Sequence, residues 1–389
     1  MTPPARLAAA IEILDLYLAG SPLEKVLTNW ARRSRYAGSG DRAAIRDIVF
    51  DCVRSRASFA ARGGAETGRG LVIGYVVENH IDPAEVFTSA RHAPEALSQS
   101  ERARLLDPKP LAPHDALDCP KWVFGDIQDS LGGAFAEILT LMKRRAGTHL
   151  RVNLSKMDRR QAMVLLKQDE IDTEIHPLVD TALTVTSNPR RVAQSRAWRD
   201  GVIELQDAAS QAVCAALPDA QRMLDYCAGG GGKALAYADR RLCEVFIHDA
   251  NPNRMAHLPE RMERAGVSLV QLATEEVAEQ APFDLVLCDV PCSGTGTWRR
   301  IPQQKWDLSS EVLINLQAVQ QEILQKASLY LAPKGVLAYV TCSLLDCENS
   351  AQKDLFLNSN PDWRCISERQ FTPLDGGDGL YFALLTKAL

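Results

Sequence analysis

From about residue 201 onward, short apolar runs alternate with helical stretches, and this alternation constrains the fold more than any other feature. Five runs have the length and composition of buried strands: RMLDYC, EVFIHDAN, SLVQLAT, FDLVLCDV and GVLAYVTCS. Helical patterns lie between them, notably VLINLQAVQQEILQKASLYL. Such alternation is typical of a doubly wound α/β sheet, which binds ligands at the carboxyl ends of its strands. We therefore predict a doubly wound α/β domain over residues 201–389.

The residues before this domain show two different patterns of apolar residues. Residues 1–142 carry apolar positions at three- and four-residue spacing, as in LAAAIEILDLYLAG, and this spacing predicts an all-helical domain. A proline-rich connection, LDPKPLAPHD, interrupts it. Residues 143–200 combine two strand-like segments, THLRVNL and ALTVTS, with the amphipathic stretch DRRQAMVLLKQD. These patterns predict a small α+β module.

Composition excludes several classes of protein. The chain contains no run of 18 apolar residues, so we expect no transmembrane helix. Its apolar N-terminal segment runs into a periodic helix without a cleavage region, which argues against a signal peptide. The ten cysteines form no CxxC pair and no cluster with zinc spacing, so no metal site and no zinc deaminase are expected. Scattered thiols in a large chain without a secretory signal predict a cytoplasmic protein.

The charges are unevenly distributed. A net charge of −5 argues against a wholly electrostatic nucleic-acid binder. Residues 143–160, however, hold seven basic residues and one acid, and residues 188–199 hold four arginines and no acid. One such run is usually a solvated surface, whereas two in adjoining segments predict a basic groove. The basic residues that we expect to contact RNA are Lys143, Arg144, Arg145, Arg190, Arg191 and Arg300.

Four consecutive glycines, Gly229–Gly232, follow the first strand of the α/β domain in DYCAGGGGKA. Glycine lets a backbone approach a ligand closely. The phosphate-binding P-loop pattern is absent, because Cys227 stands where it requires glycine and no Ser or Thr follows Lys233. Asp249 ends the second strand about 20 residues further on, where an acid binds ribose hydroxyls. This arrangement fits NAD and S-adenosylmethionine equally well.

Two later strands end in cysteines, Cys292 in DVPCSG and Cys342 in VTCS, and Asp289 accompanies the first. A lone cysteine is usually a small buried hydrophobe, and we expect this of Cys288. Two cysteines at strand ends beside an acid indicate covalent catalysis. The C5 carbon of cytosine takes a methyl group only after a thiolate adds to C6. That reaction needs a nucleophilic cysteine, an acid at ring N3 and a route for loss of the C5 proton.

These motifs resemble those of the Fmu/Sun-type RNA cytosine-C5 methyltransferases, over nearly the whole chain. The motifs are LDYCAGGGGK, DVPCSGTGTWRR, VTCSLLDCEN, the entry helix QDAASQAV and the terminal hairpin DGGDGLYFALLTK. The segment GSGDRAAIRDIVFDCVRSR resembles the NusB-like RNA-binding domain of the bacterial 16S ribosomal RNA member. The resemblance implies a Rossmann-like S-adenosylmethionine-dependent methyltransferase domain, preceded by a NusB-like helical domain and a small RRM-like module.

The resemblance also implies roles for single residues. The family's nucleophile is the cysteine of the Thr-Cys-Ser motif, here Cys342, and the cysteine of the Pro-Cys motif, here Cys292, assists product release. Asp289 would contact the base and the methionine end of the cofactor. The residues implied to bind S-adenosylmethionine are Cys227, Ala228, Gly229, Gly230, Gly231, Gly232, Lys233, Asp249, Thr274 and Asp289. The family's Ala-Pro is Gly229-Gly230 here, and Thr274 or Glu275 stands where it usually has a third-strand Asp.

Other functions fit the sequence less well. A DNA cytosine methyltransferase uses the cysteine after proline together with a Glu-Asn-Val motif, whereas ENS follows the second cysteine here. A nicotinamide dehydrogenase leaves both cysteines unexplained. A ribosome-assembly factor without catalysis and a transfer RNA cytosine-C5 methyltransferase stay open. We predict a monomeric enzyme that methylates C5 of a cytidine in RNA, with ribosomal RNA as the expected substrate.

Overall fold

A computed structural model describes residues 1–388. The α-helices are α1 (Pro3–Leu18), α2 (Leu23–Arg33), α3 (Ser39–Arg54), α4 (Arg56–Gly63), α5 (Gly68–Glu78), α6 (Pro83–Val86), α7 (Gln99–Leu106), α8 (Pro113–Ala116), α9 (Phe124–Leu131), α10 (Phe135–Met142), α11 (Arg159–Gln168), α12 (Arg196–Arg199), α13 (Ala208–Ala216), α14 (Gly232–Ala238), α15 (Leu258–Ala265), α16 (Thr274–Gln280), α17 (Gln303–Asp307), α18 (Ser310–Ser328) and α19 (Ser350–Ser359). The strands are β1 (Thr148–Val152), β2 (Thr173–Ile175), β3 (Ala182–Val185), β4 (Ile203–Leu205), β5 (Arg222–Asp225), β6 (Glu244–Ile247), β7 (Val270–Gln271), β8 (Phe283–Asp289), β9 (Leu331–Thr341), β10 (Trp363–Phe371) and β11 (Leu380–Lys387).

The chain forms two compact units, each built from two stretches of sequence. The helical unit comprises Met1–Arg145 and Trp298–Asp307. The sheet unit comprises Ala146–Thr297 and Leu308–Leu389. The sequence predicted a boundary near residue 142, but nothing in it indicated that residues 298–307 belong to the helical unit. Within residues 1–388, no helix has the length and apolar character needed to cross a membrane.

The helical unit packs α1, α3 and α5 around one apolar core. Leu14, Val49 and Leu71 are fully buried there, at the spacing that predicted amphipathic helices. Helices α4 and α5 approach very closely at Gly74, where an added Cβ would lie 2.4 Å from the backbone of Phe59. The prediction of an all-helical N-terminal region is confirmed.

The sheet unit begins with a four-stranded antiparallel sheet of order β2-β3-β1-β4. Leu150 of β1 packs with Leu166 of α11 in its core. The sequence predicted β1, β3 and α11. Strands β2 and β4 were missed, because three residues are too few to show alternation.

The second sheet has seven strands in the order β10-β11-β9-β8-β5-β6-β7. Strands β7, β6, β5, β8 and β9 are parallel, and β11 joins β9 in antiparallel pairing. The strand order reverses at β5, which lies between β6 and β8. Ligands of doubly wound sheets bind at this switch point, outside the carboxyl ends of the strands. The prediction of a Rossmann-like sheet is confirmed.

Candidate active site

The glycine loop leaves the carboxyl end of β5 and leads into α14. Gly229 and Gly231 have φ angles of +52° and +74°, which favour glycine. A Cβ on Gly229 would lie 3.1 Å from the Arg254 guanidinium, and one on Gly230 would lie 3.2 Å from that of Arg261. The loop therefore presents bare backbone, which suits close approach by a ligand.

Asp249, which we predicted to bind ribose, is 5% exposed and contacts the loop itself. One of its oxygens accepts a hydrogen bond of 2.8 Å from the Gly229 N–H, and the other accepts one of 2.9 Å from the Asn251 N–H. The Arg254 guanidinium lies 3.2 Å from the same carboxylate. Each carboxylate oxygen can accept more than one hydrogen bond, so Asp249 retains capacity for ligand hydroxyls.

Thr274, which with Glu275 is one of the two residues that the resemblance implies in place of a third-strand acid, is the first residue of α16. Its hydroxyl lies 3.0 Å from Nε2 of His248. The His248 ring stacks on Tyr226 with a centroid distance of 4.7 Å, and its Nδ1 lies 2.8 Å from the Tyr226 carbonyl oxygen. The Thr274 hydroxyl is thus held by a buried histidine, and its contact with the cofactor stays a prediction.

Asp225, the last residue of β5, was not predicted as a site residue. It is 1% exposed, and its Oδ1 has no hydrogen-bond partner among the described residues. Burial, and then the nearby Asp289 carboxylate, raise the pKa of Asp225 to about 7. A buried acceptor without a partner beside a bare glycine loop fits a ligand that brings its own donors, such as the ammonium and ribose hydroxyls of S-adenosylmethionine. The acid at the strand end of LDYC was the available sequence signal.

Lys233 and Asp289 form an ion pair that joins the glycine-loop helix to β8. The Lys233 Nζ donates a hydrogen bond of 2.5 Å to Oδ2 of Asp289. Burial acts to lower the pKa of Lys233, but Asp289 and other nearby acidic groups, among them Asp225, together outweigh it, so that pKa is raised and the lysine stays charged. The Asp289 side chain is 35% exposed, so it can still reach a ligand. Lys233, which the resemblance implies to bind the cofactor, therefore orients Asp289, which it implies to contact the base.

The two predicted catalytic cysteines lie side by side. Strands β8 and β9 are parallel neighbours with Asp289 opposite Val340, so their carboxyl ends meet. The Sγ atoms of Cys292 and Cys342 are 3.3 Å apart, and the Cys342 N–H donates to Cys292 Sγ at 3.3 Å. The hydrogen bond with Cys342, and then burial, raise the pKa of Cys292 well above its usual value. Cys288 is fully buried in the core, as expected.

Glu348, which was not predicted as a site residue, fixes the loop that carries Cys292. It is fully buried and accepts hydrogen bonds from the Ser293 N–H at 2.8 Å and from Gln320 Nε2 at 3.0 Å. The Ser293 hydroxyl donates to its second oxygen. Three donors converging on one buried carboxylate pin the turn after Pro291. The available signal in the sequence was that Glu348 lies six residues after Cys342, in the segment LLDCEN.

The basic residues predicted to contact RNA are divided between the two units. The helical unit holds Lys143, Arg144, Arg145 and Arg300, and the sheet unit holds Arg190 and Arg191. Lys143 pairs with the buried Asp118 at 3.1 Å, Arg145 pairs with Asp47 at 3.1 Å, and Arg191 pairs with Glu170. The last two pairs are exposed and therefore weak, so Arg145 and Arg191 stay available to phosphate. Their contact with RNA stays a prediction.

One member of the first basic run is not at the surface. Arg151 of β1 is 2% exposed and is paired with the buried Asp239 at the end of α14. Its guanidinium therefore joins the four-stranded sheet to the helix that follows the glycine loop. Lys156 likewise donates to the Asp200 and Arg264 carbonyl oxygens, at 2.8 and 2.6 Å.

Comparison with known proteins places the chain in a family. Residues 212–381 match the family described as 16S rRNA methyltransferase RsmB/F, and residues 119–193 match the ferredoxin-like domain of RsmF/B-like methyltransferases. The crystal structure of PH0851 superposes with a TM-score of 0.76 at 20% identity, over 100% of this chain and 99% of that one. That similarity shows the fold.

Two curated relatives carry the name ribosomal RNA small subunit methyltransferase B. The protein of Erwinia tasmaniensis is 31% identical over 69% of this chain, and the match spans 66% of its own length. The protein of Xylella fastidiosa is 30% identical over 89% of this chain and 90% of its own length. The chain therefore belongs to the RsmB/F family of S-adenosyl-L-methionine-dependent RNA methyltransferases, and the resemblance inferred from its motifs is confirmed.

Proposed function

We propose that the protein transfers a methyl group from S-adenosyl-L-methionine to C5 of a cytidine in RNA through a covalent adduct between Cys342 and C6. Ribosomal RNA is the proposed substrate, because the curated relatives bear that name. The observation that carries the proposal is the pair of thiols 3.3 Å apart at adjacent strand ends, beside Asp289 and the glycine loop.

The reaction begins when the target base leaves its stack and enters the site, because C6 is inaccessible within a helix. The Cys342 thiolate adds to C6, and the negative charge that develops toward N3 is neutralised by a proton that Asp289 passes on from the Lys233 ammonium, its hydrogen-bond donor. C5 then has the electron density to accept a methyl group, which the cofactor supplies in electrophilic form. Cys292 then gives its proton to the departing Cys342 sulfur and takes up the C5 proton, and the electron pair of the C5–H bond restores the C5–C6 double bond.

The environments of the two thiols support different roles. The raised pKa of Cys292, caused by its hydrogen bond with Cys342 and by burial, keeps that thiol protonated. A protonated Cys292 can donate its S–H to the Cys342 sulfur, 3.3 Å away. Cys292 is thus placed to exchange a proton at the reacting centre, and Cys342 to attack.

Substitution of each cysteine separates these roles. Cys342→Ala should abolish methylation and leave no covalent species. Cys292→Ala should still add to the base and accept the methyl group on C5, then stall, so that a protein–RNA adduct survives denaturing electrophoresis. Labelling with tritiated cofactor shows whether the adduct is methylated. The opposite pattern, with the adduct in Cys342→Ala alone, would reverse the assignment of the two cysteines.

The substrate is identified by a separate measurement. Bisulfite sequencing compares ribosomal and transfer RNA from the wild type and from a strain that lacks the protein. In that strain one cytidine of ribosomal RNA should have lost its protection from deamination by bisulfite. Re-expression of the wild-type chain should restore its protection, and Cys342→Ala should not. Loss of protection in transfer RNA alone would contradict the ribosomal assignment while leaving the chemistry intact.

A further inference from the structure

Helix α15 contacts the glycine loop through two of its side chains. A Cβ added to Gly231 would lie 2.4 Å from Cδ1 of Leu258, and one added to Gly230 would lie 3.2 Å from the Arg261 guanidinium. Arg261 Nη1 also donates a hydrogen bond to the Gly230 carbonyl oxygen. These residues all lie in the sheet unit. The middle of the loop is therefore held by side chains of α15.

Glu204 of β4 fixes the Arg261 side chain. Glu204 is 6% exposed, and its Oε2 lies 3.5 Å from Arg261 Nε. Arg264, also in α15, donates to both oxygens of the same carboxylate, at 2.9 and 3.1 Å. A buried carboxylate needs charged partners, and two guanidinium groups provide them here. Of these two groups, that of Arg261 extends to the glycine loop, whereas that of Arg264 packs over the Trp198 ring, 4.1 Å from its centroid.

The chain after β4 makes a second contact with the loop. Gln206 Nε2 donates to the Gly232 carbonyl oxygen at 3.2 Å. The carbonyl oxygens of Gly230 and Gly232 thus both accept from a side chain that is held by or follows β4. Because β4 is an edge strand of the four-stranded sheet, that sheet is tied directly to the glycine loop.

Gly230 is the residue of the loop at which such a restraint matters most. The resemblance implies proline at this position, and proline would fix the φ angle. Glycine instead loses more conformational freedom than any other residue when its backbone is fixed. Unlike Gly229 and Gly231, Gly230 lies outside the left-handed region, so its conformation does not require glycine. The hydrogen bond from Arg261 restrains this residue in place of a proline ring.

We propose that Arg261 is a positioning residue, which holds Gly230 and so keeps the glycine loop in the conformation that binds S-adenosylmethionine. The inference rests on the expected role of that loop in binding the cofactor. Without Arg261, the cofactor itself must order the loop, and the free energy of that ordering is subtracted from its affinity. Arg261 should therefore affect the KM for the cofactor and leave kcat at saturating cofactor unchanged.

Replacement of Arg261 by Met keeps the length of the side chain and removes the donors. The dissociation constant for S-adenosylmethionine, measured by calorimetry, should rise about tenfold in Arg261→Met and about threefold in Arg261→Lys, which keeps one donor. Methylation of RNA at saturating cofactor should keep kcat within about twofold of wild type. Arg264→Met is the matched control, because it loses the same Glu204 carboxylate without a contact on Gly230. Equal losses of affinity in Arg261→Met and Arg264→Met would overturn the proposal.

A rescue variant separates restraint of the backbone from the charge of Arg261. The Arg261 guanidinium is the one neighbour within 4 Å of a Cβ on Gly230 among the described residues. Alanine at position 230 therefore fits once the guanidinium is removed, and it narrows the conformations open to the loop. Gly230→Ala combined with Arg261→Met should recover at least about threefold of the lost affinity. An effect of charge alone predicts no recovery, and that result would contradict the assigned role.

Hydrogen exchange tests the restraint without cofactor or RNA. The Gly229 N–H is bonded to Asp249 and the Gly231 N–H to the Ala228 carbonyl oxygen, so their exchange reports opening of the loop. Mass spectrometry of the peptide that contains them should show exchange about tenfold faster in Arg261→Met and at the wild-type rate in Arg264→Met.

The two readouts distinguish the possible failures. Unchanged exchange in Arg261→Met would refute the restraint, whichever base the enzyme methylates. Faster exchange with unchanged affinity would overturn the proposal by removing the loop from the cofactor site. Urea denaturation measures the folded fraction, and Arg261→Lys is the milder change if Arg261→Met is unstable. A role in stability alone would lower the urea midpoint without changing affinity per folded molecule, and it too would overturn the proposal.

Discussion

Replacement of Glu348 by Gln should destabilise the sheet unit strongly for an isosteric change. The wild-type carboxylate is fully buried and accepts hydrogen bonds from the Ser293 N–H, the Ser293 hydroxyl and Gln320 Nε2. A glutamine whose oxygen replaces Oε1 keeps two of these bonds, but both become neutral. Its amide nitrogen then faces the Ser293 hydroxyl, which must reverse its hydrogen bond.

The magnitude follows from these three bonds. Hydrogen bonds to a charged group contribute about 1.5–3 kcal/mol each, against about 1 kcal/mol for neutral ones. Glu348→Gln weakens two of these hydrogen bonds and reverses the third, so it should lower the free energy of unfolding by about 2–3 kcal/mol. Glu348→Ala leaves the Ser293 N–H and one N–H of the Gln320 amide without an acceptor, while the Ser293 hydroxyl can turn to Ser343 and Gln320 still donates to the Pro291 carbonyl oxygen, so it should cost at least about 2 kcal/mol.

Urea denaturation followed by circular dichroism measures the change. Glu322→Gln is the matched control, because Glu322 is 61% exposed and pairs with Lys326 one helical turn away. That control should shift the free energy of unfolding by less than about 0.5 kcal/mol. If Glu348→Gln is as mild as the control, the converging hydrogen bonds do not hold the Cys292 loop, and the reasoning is wrong.

Three further predictions concern the cofactor, RNA and pH. Asp249→Ala should weaken S-adenosylmethionine binding by about 1–3 kcal/mol in calorimetry, and unchanged affinity would remove it from the ribose site. Changing Arg144 and Arg190 to Glu should weaken RNA binding and reduce the salt slope by about one to two, whereas an unchanged slope would identify solvated surface. Burial raises the pKa of Asp225 from 3.8 to about 7. Between these two pH values the native state keeps the Asp225 proton, whereas the unfolded chain has lost it. The free energy of unfolding should therefore fall by up to about 4 kcal/mol as pH rises from about 4 to 7, and Asp225→Asn should abolish this dependence on pH. If wild type and Asp225→Asn show the same dependence, the pKa of Asp225 is not raised.

The large sheet was predictable because its parallel strands are covered on both faces. Strands buried in this way read as continuous apolar runs, and β8 and β9 do so in the sequence. Once such runs are recognised, the rule that ligands bind at strand carboxyl ends brings Asp289, Cys292 and Cys342 together without further information. The structure shows the two thiols as close neighbours.

What the sequence concealed was burial by distant elements. Arg151 alternates with apolar neighbours in β1 and looks solvent-exposed, but α13 packs on that strand and Asp239 meets the guanidinium. The pairing of Lys233 with Asp289 and the hydrogen bonds of Glu348 likewise join residues 28 to 56 positions apart. Local pattern carries no signal for contacts at this separation, so only the strand-end acids themselves were visible.

The two stretches of sequence that form the helical unit are translated at different times. Residues 1–145 leave the ribosome first, but the residues that complete the carboxyl end of α3, Lys305 and Trp306, are still untranslated. They follow after roughly 160 further residues, which takes roughly 8 to 32 s at about 5–20 residues per second. During that interval the Val53 and Arg54 carbonyl groups, to which Trp306 and Lys305 donate in the folded chain, have no such donors. The helical unit can therefore complete its fold only after residue 307 has been translated.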